Sequence, residues 1–472
     1  MINRRTLLRA LGAGASVTIA GGSIVGCASR PVGEDRDPNH VRVWGAIAAF
    51  EEYETNVIEA FTEQNPDIKV TISPAPSNGS GDNSPVITAV RGRTGPDLYW
   101  MDRFNGAQFA SLGLLEPIND LIEEYEGVSP EEYMSGWVKF ATDELYYDGQ
   151  WYGLPLDTDT RALFYNKDLA DEAGIDPALL DPANGPMTID QMWDINDSFN
   201  IQDERGTYEK LTWIPWDDQG SLLMWAYAYD VQMFDDDSCN MMLNSEDMLG
   251  VARTYSEWVK RLDFPRVDAF KATYQPPNAP PSQTSFFSGR QLFQISVPDS
   301  VGSLLKYKPD MRYGLTHLPT AREGGEPFNW AGGFAFVMPK GSSMSEAAWK
   351  LMTFYTGYEG QKIYMPGIKK IPTNIKAAKD PEAFDPEIQF FVDQMPYATS
   401  RLPLPVGTKV WDAMFTMQDS LNQQSKTPEE AVRIAQDYVN PTMQQFCPVR
   451  LPEGYGEPDP NFTADDAQSF DA

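Results

Sequence analysis

The sequence is poor in the residues from which most metal sites and many hydrolytic sites are built. It contains only three cysteines and two histidines, His40 and His317, among 472 residues. The histidines lack the spacing of zinc ligands, and neither lies near a Gly-x-Ser-x-Gly motif. A glycine-rich phosphate loop is also absent. We therefore expect no metal site, no cofactor and no enzymatic activity.

Basic residues, and lysines in particular, are also scarce. The chain has 68 acidic residues against 37 basic ones, of which 17 are lysines, and a formal net charge of −31. This charge disfavours nucleic acid or an anionic membrane surface as a partner. The acids could form a face that steers a substrate, or a solvated surface that keeps the protein soluble in concentrated salt. Because they are spread over the whole chain, we favour the second interpretation and expect a haloarchaeal origin.

Long apolar runs are missing, and the N-terminal one is short. It follows Arg4 and Arg5, is interrupted by glycines and alanines, and ends at Ile24-Val25-Gly26-Cys27. A spanning helix would need about 20 mostly apolar residues. Paired arginines before a moderately apolar run are typical of a twin-arginine export signal. The final four residues resemble a lipobox, in which the cysteine carries the lipid.

This N-terminus predicts export followed by lipid anchoring. We interpret residues 1–26 as a twin-arginine lipoprotein signal peptide, Cys27 as the lipidated residue and residues 27–40 as a tether. The alternative, a buried helix with an incidental cysteine, is disfavoured because no acid precedes Glu34. We expect the mature protein on the outer face of the cell membrane, held there by the lipid anchor only.

The two remaining cysteines, Cys239 and Cys447, leave one question open. Three cysteines cannot supply a disulfide framework, and with Cys27 lipidated these two could pair or stay apart. The sequence alone does not decide between the two states.

Strand and helix patterns alternate along the first part of the chain. Residues 41–44 predict a strand, residues 50–65 an amphipathic helix that Pro66 ends, and residues 68–72 a second strand. This order is typical of a βαβ unit in a parallel sheet. Capping boxes predict two later helix starts, at Thr188 with Gln191 and at Thr427 with Glu430. Residues 448–472 are rich in proline, glycine and aspartate, and we expect a disordered acidic tail.

Several short motifs follow one another between Val41 and about Asp437. In chain order they are Gly95–Phe104 with Gly113–Leu115, Asp148–Pro155 with Phe164–Asp168, Phe287–Gln291, Leu318–Thr320, Gly332–Gly333 and Ile371–Thr373. Each motif alone is weak, but their order resembles the extracellular solute-binding proteins that deliver sugars to ABC importers. Within that family, maltose- and maltodextrin-binding proteins give the closest local match.

The resemblance implies an α/β fold of the two-lobed periplasmic-binding-protein type II, with a hinge and a ligand cleft between the lobes. The first lobe would comprise residues 41–155 and about 297–340. The second would comprise residues 156–296 and 341–447. The resemblance also implies a monomer that captures a sugar, of the maltose, maltodextrin or trehalose type, and delivers it to the transmembrane subunits of an ABC permease.

The resemblance also carries over individual binding residues. In the family, a Trp-x-x-Asp-Arg-Phe loop contributes its tryptophan, aspartate and arginine to sugar binding. The corresponding loop here is one residue shorter, and the resemblance implies sugar contacts for Trp100, Asp102 and Arg103. An acid seven residues before the hinge asparagine corresponds to Asp159. A late stacking tryptophan corresponds to Trp411, whereas another family tryptophan is replaced by Asp299.

The residue types themselves suit a neutral sugar. A pyranose presents a nearly apolar C–H face, which aromatic rings cover, and an edge of hydroxyls, which charged groups bind strongly. In an extended run alternate residues share a face, so we expect one such edge from Asp157, Asp159 and Arg161. Further candidates are Trp44 at the end of a predicted strand and the pair Trp216 and Asp217 before a predicted helix. Trp330 and Gly332 are also candidates, because glycine lets the backbone approach a ligand closely.

Two other functions remain open at this stage. The same fold could bind a polyamine or a glycerol phosphate, although Arg103 and Arg161 in the predicted cleft argue against a cation. A secreted glycoside hydrolase would need two carboxyl groups about 5–10 Å apart across the scissile bond. Nothing in the sequence positively supports hydrolysis.

Overall fold

The computed structural model describes residues 37–45, 50–74, 84–217, 221–276 and 279–468. Its strands are β1 (His40–Trp44), β2 (Lys69–Ser73), β3 (Leu98–Asp102), β4 (Tyr146–Tyr147), β5 (Gln150–Trp151), β6 (Gly153–Pro155), β7 (Asp157–Thr158), β8 (Ala162–Asn166), β9 (Ile201–Gln202), β10 (Tyr208–Lys210), β11 (Phe234–Asp235), β12 (Asn240–Met241), β13 (Phe293–Ser296), β14 (Tyr313–Thr316), β15 (Asn329–Ala331), β16 (Phe334–Val337), β17 (Ile371–Pro372) and β18 (Ala398–Ser400).

Its helices are α1 (Glu51–Gln64), α2 (Ser84–Arg91), α3 (Gly106–Ser111), α4 (Asn119–Tyr125), α5 (Pro130–Met134), α6 (Lys139–Asp143), α7 (Lys167–Ala173), α8 (Ile189–Phe199), α9 (Ser221–Ala228), α10 (Glu246–Leu262), α11 (Phe264–Tyr274), α12 (Asp299–Tyr307), α13 (Glu346–Thr356), α14 (Tyr358–Ile368), α15 (Ile375–Ala378), α16 (Gln389–Val392), α17 (Gly407–Asn422), α18 (Pro428–Met443) and α19 (Ala464–Gln468). Both predicted capping boxes are present, at the starts of α8 and α18.

The first lobe is built on a five-stranded sheet in the order β2-β1-β3-β16-β6. β1 pairs in parallel with β2 and β3, which confirms the predicted βαβ unit, and β16 runs antiparallel to β3 and β6. Both faces of the sheet are covered. Trp100 and Phe336 pack with α1, α13 and α14, whereas Tyr99 and Val337 face a second cluster that includes α2.

The second lobe combines a three-stranded antiparallel sheet, in the order β13-β8-β14, with helices α8 to α11, α17 and α18. Its main core contains four neighbouring tryptophans whose ring centroids lie 5.0 to 6.2 Å apart: Trp193, Trp213, Trp225 and Trp258.

The structure corrects the predicted lobe boundaries. β14 pairs with β8 of the second sheet, so the chain after residue 297 stays in the second lobe until β15. Helices α13 and α14 cover the first sheet instead of joining the second lobe. The pairing depends on tertiary fit: Gly314 lies so close to the ring of Tyr165 that an added Cβ would be 2.1 Å from it. Local sequence patterns do not show which sheet a strand will join.

The prediction of a disordered tail is wrong for residues 448–468. This segment packs against the body: the Phe462 side chain is 1% exposed, and Asp459 accepts a hydrogen bond of 2.6 Å from the amide of Lys139. Cys239 and Cys447 form a disulfide, which holds the start of the segment. A few aromatic anchors and one covalent tie are enough to order a stretch that is poor in aliphatic residues.

The predicted signal peptide, the lipidation site Cys27 and residues 27–36 of the tether lie outside the described residues. Within the part of the chain that the structure describes, no helix combines the length and the apolar character needed to cross a membrane.

The chain passes between the lobes near residues 156–161, at the two glycines before β16, and a third time after α14, where β17 pairs with β7. The first two passages are hydrogen-bonded to each other, with the Asp159 amide donating to the Gly332 carbonyl at 3.2 Å. Gly333 has φ of +142°, and an added Cβ would lie 2.3 Å from the Asp157 carbonyl oxygen. Only glycine fits there, because the conformation and the close approach both exclude a side chain.

The Asp157 carboxylate is buried at this crossing and accepts a hydrogen bond of 3.2 Å from the amide of Phe334. Burial raises its pKa to about 6, although the positive charges of Lys370 and Arg103 oppose the rise. The folded protein therefore retains a proton that the unfolded chain loses near pH 4. The unfolding free energy therefore falls as the pH rises from about 4 to about 6, and the loss is complete above pH 6, where the folded protein must also ionise this group.

We predict that Asp157→Asn changes the pH dependence of stability. Between about pH 4 and 6 the wild-type unfolding free energy should fall relative to that of the variant, because only the wild type must ionise the buried group. Between pH 4 and pH 7 the unfolding free energy of the variant should rise by on the order of 2 kcal/mol relative to that of the wild type. Urea unfolding from pH 4 to 7 measures this difference, with exposed Asp268→Asn as the control. Parallel curves for the wild type and Asp157→Asn would contradict the assignment.

Candidate functional site

The candidate site begins at the C-terminal end of β3. Asp102 ends this strand and caps the following turn by accepting a hydrogen bond of 3.0 Å from the Phe104 amide. Its side chain is 14% exposed. In an open α/β sheet this end of the strands is where ligands usually bind.

Arg401, which the sequence analysis did not identify, bridges two carboxylates at this point. Its Nη2 donates to Asp102 Oδ1 at 2.7 Å and its Nε donates to Glu144 Oε1 at 3.0 Å. Its guanidinium carbon lies 4.7 Å from the centroid of the Phe104 ring. Burial disfavours its charge, but Asp102 and Glu144 outweigh that effect and raise the pKa of Arg401 above its usual value.

Arg103 does not face the site, which corrects the sequence-based expectation. Its side chain is fully buried and its donors are occupied: Nε donates to Glu144 Oε2 at 3.0 Å, and Nη2 donates to the Gly332 carbonyl at 2.8 Å. Nη1 donates to the Asp157 carbonyl. The turn that Asp102 caps directs Arg103 inward, so it binds the inter-lobe crossings and not a ligand.

A second charged pair comes from the first crossing. Asp159 forms an ion pair with Arg161 and accepts a hydrogen bond of 2.8 Å from the amide of Gly332. Burial alone would raise the pKa of Asp159, but the charges of Arg161 and Lys370 with the Gly332 amide lower it to about 2. Asp157, expected on the same face, bonds instead to the first sheet, as the hydrogen bond from Phe334 shows.

Aromatic rings adjoin both charged pairs. Arg161 lies over Trp330, with 3.3 Å between its guanidinium carbon and the ring centroid, and Trp330 is almost fully buried. The half-buried Trp411 of α17 has its ring centroid 6.2 Å from that of Trp330 and 5.8 Å from that of Phe104. The structure thus brings together Asp102, Asp159, Arg161, Trp330, Gly332 and Trp411, to which it adds Phe104, Glu144 and Arg401.

Two of the predicted tryptophans lie in cores instead. Trp100 stacks on Phe334 with 3.7 Å between ring centroids and packs in the first-lobe core, because alternate residues of a central strand face a covered side. Trp216 is 7% exposed and packs near Tyr255 and Phe264 in the second-lobe core. The structure therefore corrects both assignments.

The other three candidates lie apart from this cluster. Asp217 forms an ion pair with Lys271. Asp299 begins α12 and forms a 2.8 Å ion pair with Lys370, whose positive charge also acts on Asp159. Trp44, half-buried, ends β1 and packs against the second first-lobe cluster.

The ionic groups of the site compensate one another. Asp102 and Glu144 balance Arg401 and Arg103, and Asp159 balances Arg161. Outside the cluster, Asp299 balances Lys370, whose charge reaches Asp159. Such a site offers hydrogen-bond donors and acceptors fixed beside aromatic rings, without a surplus charge of either sign. It suits a neutral molecule that carries hydroxyl groups and an apolar face.

Known proteins share both the sequence pattern and the fold. A maltotriose-binding protein from Pyrococcus abyssi is 24% identical over 403 residues, which cover 84% of this chain and 77% of that protein. A maltooligosaccharide ABC transporter solute-binding lipoprotein from Streptococcus pneumoniae is 22% identical over 437 residues, covering 91% and 96%. The mannotriose-bound structure of CpMnBP1 superposes with a TM-score of 0.69 at 20% identity, covering 85% of this chain and all of that one.

The family model that matches the chain covers most of both lobes. It spans residues 56–389 and describes a bacterial extracellular solute-binding protein. The likeness to the mannotriose-bound structure shows that the fold is shared as well. The chain therefore belongs to the bacterial extracellular solute-binding protein family.

Proposed function

We propose that this protein captures a neutral oligosaccharide outside the cell and presents it to the membrane permease of an ABC importer. The observation that carries the proposal is the compensated pair of Asp102 and Arg401 beside the aromatic surface of Phe104 and Trp411. The names of the maltotriose- and maltooligosaccharide-binding relatives support the same ligand class.

The charge balance separates this proposal from its rivals with the same fold. A polyamine would require carboxylates without a partner, because burying its ammonium groups is costly unless each one is paired. A glycerol phosphate would require surplus positive charge. At this site the carboxylates of Asp102 and Asp159 already face arginines, so both charged ligands are disfavoured.

The same geometry favours binding over hydrolysis. A glycosidase needs a carboxylic acid that holds its proton near neutral pH. The pKa of Asp159 is held at about 2, so that group stays ionised. Asp157 has a raised pKa, but its side chain is buried at the inter-lobe crossing, out of reach of a glycosidic oxygen.

Transport would follow from closure of the lobes over the sugar. A ligand that contacts both lobes favours the arrangement in which both sets of contacts are made, and a permease can recognise that form. The N-terminal motif supports twin-arginine export and a lipid anchor at Cys27. The excess of acids supports work in concentrated salt as a monomer on the outer face of the membrane.

We predict one-to-one binding of an oligosaccharide in calorimetric titrations of the mature protein in multimolar salt. The panel comprises maltose, maltotriose, trehalose, glucose, spermidine and glycerol 3-phosphate. Micromolar affinity, about −8 kcal/mol, would permit capture with release. The sugar recovered afterwards should be intact. Heat from spermidine or glycerol 3-phosphate with none from any sugar would refute the ligand class, and cleaved sugar would refute a purely binding role.

We predict that Trp411→Ala weakens binding of the best sugar in that panel by roughly 10- to 100-fold, because the apolar face of a sugar ring loses its aromatic partner. Tyr438→Ala removes an exposed aromatic side chain from α18 and should leave affinity unchanged. Calorimetry gives the affinities, and thermal unfolding checks that both variants fold. Equal affinities for the two variants would remove Trp411 from the site.

A further inference from the structure

Residues 448–468, the C-terminal strap, are attached firmly to the second lobe at their start. The disulfide between Cys239 and Cys447 immediately precedes the strap. The amide of Leu451 then donates to Asp236 Oδ1 at 2.7 Å, and the Tyr455 hydroxyl donates to the Ser400 carbonyl at 2.6 Å. The first half of the strap is thus fixed to second-lobe elements by one covalent tie and two hydrogen bonds.

The second half of the strap binds the segment around α6, which precedes the β4–β5 hairpin of the first lobe. Asp459 Oδ2 accepts the 2.6 Å hydrogen bond from the amide of Lys139, the first residue of α6. Phe462 packs in a cluster that contains Phe140 and Ala141 of the same helix and also Phe164 of the second sheet. One short stretch of chain therefore holds elements of both lobes.

The helix that the strap binds leads directly into the site. Glu144 follows α6 and accepts hydrogen bonds from both Arg103 and Arg401. Arg103 in turn donates to the carbonyls of the first two inter-lobe crossings, those of Asp157 and Gly332. A restraint on α6 is consequently a restraint on the network at which the lobes meet.

Two cavities flank the strap up to residue 461, whereas the buried Phe462 belongs to a core cluster shared by α6 and the second sheet. A cavity of about 890 Å³ lies between the strap, the β4–β5 hairpin and the second-lobe segment 231–236. A second cavity of about 360 Å³ separates the strap from Trp137 and Trp151 of the first lobe. The strap also lies beyond residues 56–389, which the family model matches.

We propose that the strap is a clasp that limits rotation of the two lobes and thereby sets the free energy of closure. Contacts with both lobes stabilise the arrangements in which both can be made. Without them the lobes would sample a wider range of orientations, and binding would have to order them at a cost in conformational entropy. The restraint on the lobes follows from the fold, whereas its effect on sugar affinity rests on the proposed function.

The test compares the full-length mature chain with its Asp459→Ala/Phe462→Ala variant. Spin labels attached to p-acetylphenylalanine at the exposed positions Glu123 of α4 and Glu257 of α10 leave the native disulfide intact. Double electron–electron resonance spectroscopy of the sugar-free protein then gives the distribution of distances between the two labels. We expect it to be about twofold wider in the variant. Asp465→Ala alters an exposed strap residue and should leave the distribution unchanged.

If the double variant unfolds, the single variant Asp459→Ala is measured in its place. It loses one hydrogen bond to Lys139 but keeps the buried Phe462. An unchanged distribution in a folded strap variant would overturn the clasp. Titration of the same samples with maltotriose should show affinity reduced by about 3- to 10-fold. A widened distribution in a protein that binds no sugar, before or after substitution, would support the clasp and refute the proposed function.

Discussion

The buried guanidinium of Arg103 is the interaction on which the rest of this structure depends. It joins the end of the central strand of the first sheet to Glu144 and to the backbone of the first two crossings between the lobes. A cation with no exposure is stable only when its donors are satisfied and its charge is balanced. Here two crossing carbonyls and one carboxylate meet that requirement, so the relative position of strand and hinge is tightly specified.

Because Arg103 is used in this way, we propose that neighbouring side chains face the ligand instead. Arg401 takes the place beside Asp102, and Glu144 connects the two arginines. The result is a chain of alternating charges that runs from the hinge to the site. Closure of the lobes and arrangement of the ligand contacts thereby share the same side chains, which is what a binding protein requires if the ligand is to favour one arrangement of its lobes.

Local features of the fold were predictable from the sequence, whereas long-range ones were not. The βαβ unit and the two capping boxes follow from short-range periodicity and side-chain chemistry, and the structure confirms them. The membership of β14 in the second sheet depends on its fit against β8, and the order of the tail depends on Phe462 and a disulfide. None of these leaves a local pattern.

The site shows the same division. A motif or a position relative to the hinge marks Asp102, Asp159 and Trp411; the structure places all three in the candidate site, and their contact with a ligand stays a prediction. Arg401 has no such marker: its role becomes visible only when Asp102 and Glu144 are seen on either side of it. Trp100 and Arg103 carried the motif but point elsewhere, since strand alternation and the turn after Asp102 decide their directions.

A crystal structure of the mature protein with its tightest-binding oligosaccharide tests the central claim most directly. We expect a sugar ring against Trp411, hydroxyl groups bonded to Asp102, Arg401 and Asp159, and Arg103 still buried at the hinge. A sugar bound elsewhere, for example in the cavity beside the C-terminal strap, or one bonded to Arg103, would contradict it.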